Sequence, residues 1–304
     1  AQEVQSVESS LEISVDYAGF LSYAVHQNDV PLVQLITIVN HSDQTLSDLS
    51  IEVSLQSGHC NSWQCRVEMI PPNGTHRLDQ VCMQLNPGKL ASQNEREKTL
   101  LVVTVANPSG QLQRWTGSID VLAFNEWHGS GSLVELTAAY ILPNHPQVQH
   151  ILSTASKILR KKVPGAALDG YQSGSSQRVM DIAFAIYTAI GQLQISYINP
   201  PASFENSGQK VRFPDDMANY QLGTCLDLSM LMAACLEQAG LYPLLVIIRG
   251  HAFVGVWMHD THYAYATMDE PTSLSKRVDL REITLFEATM LTHDPLPALD
   301  RAIA

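Results

Sequence analysis

The sequence predicts an all-β sandwich over residues 1–126, followed by an α+β domain over residues 127–304. Three observations carry this reading. Up to Phe124 the apolar residues alternate with polar ones in short runs, and turn residues separate the runs. After "NEWHGSGS" (125–132) the spacing of apolar residues becomes helical. The 304 residues, 45% of them hydrophobic, exceed one ordinary domain and can fill two modest cores.

In the first half, "LVQLITIVN" (32–40), "LSIEVSL" (49–55), "TLLVVTVAN" (99–107) and "WTGSIDVLAF" (115–124) are rich in Val, Ile, Leu and Thr, the residues that suit a pleated, half-buried surface. "NHSDQ", "PPNG" and "NPSG" punctuate them as turns. Strands at this spacing predict an antiparallel sandwich resembling an immunoglobulin or fibronectin module.

In the second half, "HPQVQHILSTASKILRKK" places Val148, Ile151, Leu152, Ala155, Ile158 and Leu159 on one helical face. A second helix is read from Gln177 to Gly191, with Val179, Ile182, Ala183, Ile186, Ala189 and Ile190 inward. Both stripes are packing surfaces. "YINPPASFENSGQKVRFPDD" (197–216) reads as a proline-interrupted loop lying over whatever the next motif builds.

That motif is "GTCLDLSMLMAACLEQAG" (223–240), a helix with Leu228, Leu231, Met232, Cys235, Leu236 and Ala239 at core spacing, Thr224 as its N-cap and Gly240 as its stop. Cys225 falls in the first turn, where unpaired N–H groups and the helix dipole favour a thiolate and could hold an oxyanion. Cys235 lies mid-helix on the apolar face and reads as a small buried hydrophobe. "LYPLLVIIRG" then gives a buried strand, and "HAFVGVWM" starts the next one with His251 after a tight turn at Gly250. Cysteine on a helix N-terminus, histidine on a following strand and an acid beyond it is the chain order of papain-related thiol enzymes. The imidazole takes the thiol proton and the acid fixes its tautomer. Asp260, Asp269 and Glu287 are the available acids; Glu287, in the strand-like "ITLFEATML", is preferred over Asp269, in the loop "MDEPTS".

Charge and cysteine count exclude several classes. A net charge of −12, with Lys and Arg totalling 18, is a poor footprint for nucleic acid, and the basic "LRKK" sits at a helix end where cations belong anyway. Five cysteines make no disulfide framework, so a reducing cytoplasm is expected. No apolar run reaches spanning length, and the N-terminus lacks a signal-peptide pattern. The start without Met and the closing "PALDRAIA", an unfinished amphipathic segment, read as a fragment of a longer protein. His59, Cys60, Cys65 and Cys82 match no standard zinc spacing, so no metal is expected. "NHS" and "NGT" fit glycosylation sequons but read as turns, and no phosphate-cradling glycine loop is present, so no cofactor is expected.

Several long motifs together resemble a known family. "LAFNEW" (122–127), "LTAAYILPNHPQV" (136–148), "GYQSG" (170–174), "YINPPASFENSGQKVRFP" (197–214), "GTCLDLSMLMAACLEQAGLYPLL" (223–245), "GHAFVGVW" (250–257) and "SLSKRVDLREITLFEATMLT" (273–292) carry the resemblance, with "YAVHQNDVPLV" (23–33) a weaker part. They resemble the transglutaminase-like domains near the N-terminus of very large bacterial proteins that also carry superfamily 1 helicase and nuclease-like regions. The resemblance implies a papain-like fold, with Cys225 as nucleophile, His251 as base and Glu287 as orienting acid. The wider superfamily has Asp in a "D-P-T" strand where this chain has "FEAT", which keeps Asp269 as the alternative acid. Gln209, in "GQK", is a candidate oxyanion donor by analogy with thiol proteases. The implied activity is that of a cysteine peptidase acting on a protein or peptide, in a helicase-associated and anti-phage defence setting. The other implied role is an inert module that docks to a helicase or nuclease region of the parent chain or to a protein partner. Neither involves direct nucleic-acid or membrane binding.

Overall fold

The computed structural model describes residues 10–303. Residues 1–9, part of the stretch read for a signal peptide, and Ala304, the end of the closing amphipathic segment, lie outside the described residues. The chain divides into two compact units, Ala1–Phe124 and Asn125–Ala304. The division falls two residues ahead of the boundary read from the sequence. The reason is that Glu126–Trp127 forms a short strand, β9, bonded inside the second unit.

The first unit is built from β1 (Leu11–Tyr17), β2 (Phe20–Leu21), β3 (Val33–Asn40), β4 (Leu46–Leu55), β5 (Trp63–Ile70), β6 (Thr75–Leu78), β7 (Glu97–Asn107) and β8 (Gly110–Val121), with two short helices, α1 (Tyr23–Gln27) and α2 (Pro87–Ala91). The strands make one sheet in the order β1, β3, β6 and another in the order β2, β8, β7, β4, β5. Alternation decides which side is buried. In β4, Leu49, Ile51, Val53 and Leu55 are buried while Ser50 and Glu52 are exposed. Opposite them on β7 stand Val105, Val103 and Leu101, paired with Ile51, Val53 and Leu55. Each such apolar cross-strand pair contributes roughly 0.2–1 kcal/mol beyond an alanine pair. The edge strand β5 escaped the sequence reading because only Val67 and Ile70 of its eight residues are buried.

The second unit holds α3 (Pro146–Lys162), α4 (Ser176–Gly191), β10 (Ser196–Tyr197), α5 (Phe204–Ser207), β11 (Gln209–Lys210), α6 (Pro214–Tyr220), β12 (Leu222–Gly223), α7 (Cys225–Gln238), β13 (Pro243–Ile248), β14 (His251–Trp257), α8 (Pro271–Asp279), β15 (Ile283–Phe286) and α9 (Leu299–Ala302). Two 3-10 turns, Val134–Tyr140 and Ala288–Thr292, complete it. α7 lies at the centre. Ile151 and Ala155 of α3, Ile182 and Ile186 of α4, and Val254 and Phe286 of the sheet share one apolar cluster with Leu231, Met232 and Leu236 of α7.

The apolar spacing of α7 predicts a single buried face, but every residue from Cys225 to Leu236 is buried. Helices on one side and the antiparallel sheet β13, β14, β15 on the other cover it, the situation in which a helix is apolar nearly all round. The stretch 197–216, read as an irregular loop, contains short pairings that fix it. Tyr197 stands beside Gly223 in the parallel pair β10 and β12, and Gln209 stands opposite Trp127 in β11 and β9. Gly208 permits the second of these: its φ is +77°, and a Cβ there would lie 2.1 Å from the Trp127 carbonyl oxygen.

Candidate active site

The start of α7 is an unusually polar place in a buried helix. Thr224 caps it: the Thr224 Oγ1 accepts the Asp227 N–H at 3.2 Å, and the Thr224 N–H donates to Asp227 Oδ2 at 2.9 Å. This reciprocal capping box uses Asp in place of the commoner Glu. Asp227 is fully buried and takes two further bonds, from the Arg212 N–H at 3.0 Å and the Arg212 guanidinium at 3.1 Å. Burial pushes the Asp227 carboxyl up, and the bonds from Thr224 and Arg212 act against it. The segment after β11 is thereby pinned to the first turn of α7.

Cys225 is the first residue of that turn and has no exposed surface. Burial pushes its thiol up from the ordinary value. The Ala252 N–H, the Tyr197 hydroxyl and the Leu226 N–H, all hydrogen-bonded to the sulfur, pull it back, and the charge of Glu287 adds to the rise. Burial and this same thiol push the Tyr197 phenol up to about 12, so the phenol keeps its proton and is the donor in that bond. Ser229, one turn along α7, donates to the Cys225 carbonyl at 2.7 Å and has the Ala252 carbonyl at 3.2 Å. Its hydroxyl ties the helix start to the start of β14.

His251 opens β14 after a turn in which Gly250 takes φ +72°, and it pairs across the hairpin with Ile248. Its Nε2 lies 2.7 Å from Glu287 Oε2. β15 ends at Phe286, so Glu287 caps the following 3-10 turn and does not continue the strand-like run read from the sequence. Its other oxygen accepts the Thr289 N–H at 3.0 Å and the Thr289 hydroxyl at 2.7 Å. Burial raises the Glu287 carboxyl, but the bonds from Thr289 and His251 outweigh it, and the net position is below the ordinary range. Asp260 and Asp269 are exposed, and neither bonds to His251 among the described residues.

The two halves therefore meet through one peptide unit. The residue after His251 supplies an N–H to the Cys225 sulfur, and Glu287 is close enough for its charge to act on the thiol. Among the described residues no hydrogen bond joins Cys225 to His251, and Nδ1 of His251 has no protein partner. Gln209 is buried beside the cap. Its amide donates to Thr224 Oγ1 at 3.0 Å, while its carbonyl oxygen has no partner. An amide nitrogen carries two N–H groups, so one remains for a further acceptor. Tyr197, Arg212, Asp227 and Ser229 went unassigned in the sequence. "TCLD" (224–227) did carry a capping-box pattern that foretold the Asp227 role.

In the first unit, the His59 ring nitrogens lie 2.8 Å from Ser57 Oγ and 3.4 Å from Gln93 Oε1. All five cysteines are free thiols. Among the described residues no three His, Cys, Asp or Glu side chains gather as metal ligands, and no helix is long and apolar enough to cross a membrane.

No protein-family model and no curated protein matches this chain. Among solved structures, one provisionally assigned to the late embryogenesis abundant (LEA) group is similar at 13% identity and a TM-score of 0.23, covering 38% of this chain and 74% of that one. A structural-genomics target is similar at 13% identity and a TM-score of 0.21, over 39% of this chain and 90% of that one. A family 76 glycoside hydrolase from a bovine Bacteroides thetaiotaomicron strain is similar at 11% identity and a TM-score of 0.16, over 75% of this chain and 49% of that one.

Proposed function

We propose that the second unit is a transglutaminase-like thiol enzyme acting on amide bonds, a cysteine peptidase in first place, and that the first unit is an immunoglobulin-like sandwich appended to it. The observation that carries this reading is the 2.7 Å pair of His251 Nε2 and Glu287 Oε2, formed beside a cysteine on a helix N-terminus. Pairing Nε2 with the carboxylate leaves Nδ1 as the nitrogen that exchanges a proton with Cys225. The thiolate attacks the substrate carbonyl, and the imidazolium returns the proton to the leaving amine. Water, activated by the same histidine, then cleaves the thioester. The Cys225 N–H, with the second N–H of Gln209, is the donor pair this reading assigns to the oxyanion. The cytoplasm and a larger, helicase-bearing defence protein are the setting that the sequence resemblance implies.

A second reading has its own support. Cys225 is fully buried, its thiol is pushed up, and no hydrogen bond links it to His251 among the described residues. These favour an inert module that docks to a helicase region or another protein. One experiment separates the two. The wild type, Cys225→Ala and His251→Ala are incubated with an unfolded protein, and new peptide ends are counted by mass spectrometry. The enzyme reading expects cleavage by the wild type and a loss of about a thousandfold or more in both variants, with unchanged circular dichroism. Equal cleavage by Cys225→Ala, or none by the wild type, overturns it in favour of the module.

A further inference from the structure

We propose that the cleft beside the His251 hairpin is a substrate subsite for a cationic side chain, lysine or arginine, with Glu205 as its counter-charge. The proposal rests on the thiol-enzyme reading, since it names the substrate that reading leaves open. The cleft holds about 430 Å3, a size that suits a long side chain with part of its backbone. Ile248, the residue paired with His251 across the hairpin, lines it, so the subsite begins next to the proposed chemistry.

Glu205 is the decisive group. It is 9% exposed and lines the cleft from α5, yet its carboxylate is nearly unserved. Oε1 receives one long bond, 3.4 Å from its neighbour Asn206, and Oε2 is buried with no partner. A carboxylate has about four acceptor positions, and one left buried without a cation or donors is strongly unfavourable unless something arrives to fill them. The backbone beneath it is fixed: the Ser130 N–H and hydroxyl both donate to the Glu205 carbonyl at 2.8 Å. An uncompensated charge on a fixed backbone beside the cleft favours a cation there.

The rest of the lining matches a lysine or arginine. Ile247 and Ile248 offer apolar surface to the methylene stem, and Ser203 and Asn206 add polar atoms near the head group. Arg249, in the turn, also lines the cleft without pairing with Glu205, and its exposed charge opposes a cationic side chain only in part, because solvent weakens it. The net charge of −12 draws cationic peptides toward the protein as a whole.

The test uses the Cys225→Ala protein, which binds without turnover, and two acetylated peptides that differ only in lysine against norleucine at one position. Fluorescence anisotropy is expected to give the lysine peptide roughly tenfold tighter binding. Glu205→Gln should remove the difference, and the surface variant Arg249→Glu, which does not disturb a buried group, should widen it severalfold. No preference for lysine, or no response to Arg249→Glu, overturns the proposal. The wild type is assayed on the same peptides as amide substrates. Binding preference without cleavage upholds the subsite and sinks the thiol-enzyme reading. Cleavage without preference upholds the enzyme and sinks the subsite.

Discussion

One helix carries two cysteines that are equally hidden and differently surrounded. Cys225 and Cys235 both have no exposed surface, and burial pushes both thiols up. Around Cys235 burial is the only influence, so the rise there is extreme and the sulfur behaves as a small apolar group. Around Cys225 three hydrogen-bond donors oppose the rise. Its flank also holds Thr224, Asp227, Ser229 and Gln209, four further buried polar residues. Packing alone rewards none of these. A fold that buries polar groups here, and meets most of their bonding from 209–213 and β14, gives up stability to fix the geometry of one helix end.

The largest test of that contrast is thermodynamic. Asp227→Ala strips the partner from the Thr224 N–H, the Arg212 N–H and the Arg212 guanidinium together. Breaking a buried pair in this way is expected to cost about 3 kcal/mol in urea unfolding. Cys235→Ala removes one sulfur from an apolar site and should cost about 1 kcal/mol, the low end of cavity-forming changes. A larger loss at Cys235 than at Asp227 would mean the polar end is not the tightly held one.

The next effect concerns Glu287 and follows from its depressed pKa. A carboxyl held below its ordinary 4.5 contributes stability in full above that pH and loses it as the pH falls through the lower folded value. The gap in melting temperature between the wild type and Glu287→Gln should therefore shrink as the pH falls below 4.5. Taking the difference cancels the other carboxylates. A gap that stays constant into acid would show that Glu287 is not held ionised by Thr289 and His251.

Legibility in the sequence followed the same division. α3, α4, α7 and the main strands were readable because apolar periodicity reports burial directly, and the observed α4 begins one residue from the expected position. The place of Cys225 in the first turn was readable from "GTC", since Thr is a strong cap. What could not be read was the pairing of short segments. β10, β11 and β12 are two residues each, too short to show a period, and they depend on contacts distant in sequence. Tyr197 reaches the thiol only because β10 lies parallel to β12. The role of Ser229 was hidden too, because a hydroxyl in an apolar helix looks the same whether it points at solvent or bridges two carbonyls.

Tyr197 gives the smallest and most specific test. Its phenol, held at about 12, is protonated at neutral and mildly basic pH, so it donates to the Cys225 sulfur and stabilises the thiolate over the thiol. Tyr197→Phe removes that donor and leaves the ring. The Cys225 thiol should then titrate at higher pH, by less than about one unit, because a neutral donor is worth on the order of 1 kcal/mol and solvent weakens one that is 40% exposed. The rate of iodoacetamide labelling at Cys225, followed by peptide mass spectrometry across pH, reads the shift, with Cys235 as the internal control. A curve that moves to lower pH would mean the phenol shields the sulfur instead of stabilising its charge, and parallel shifts at both cysteines would mean a loosened helix. A rise confined to Cys225 would show that the polar end of α7 tunes its own sulfur against the burial the two cysteines share.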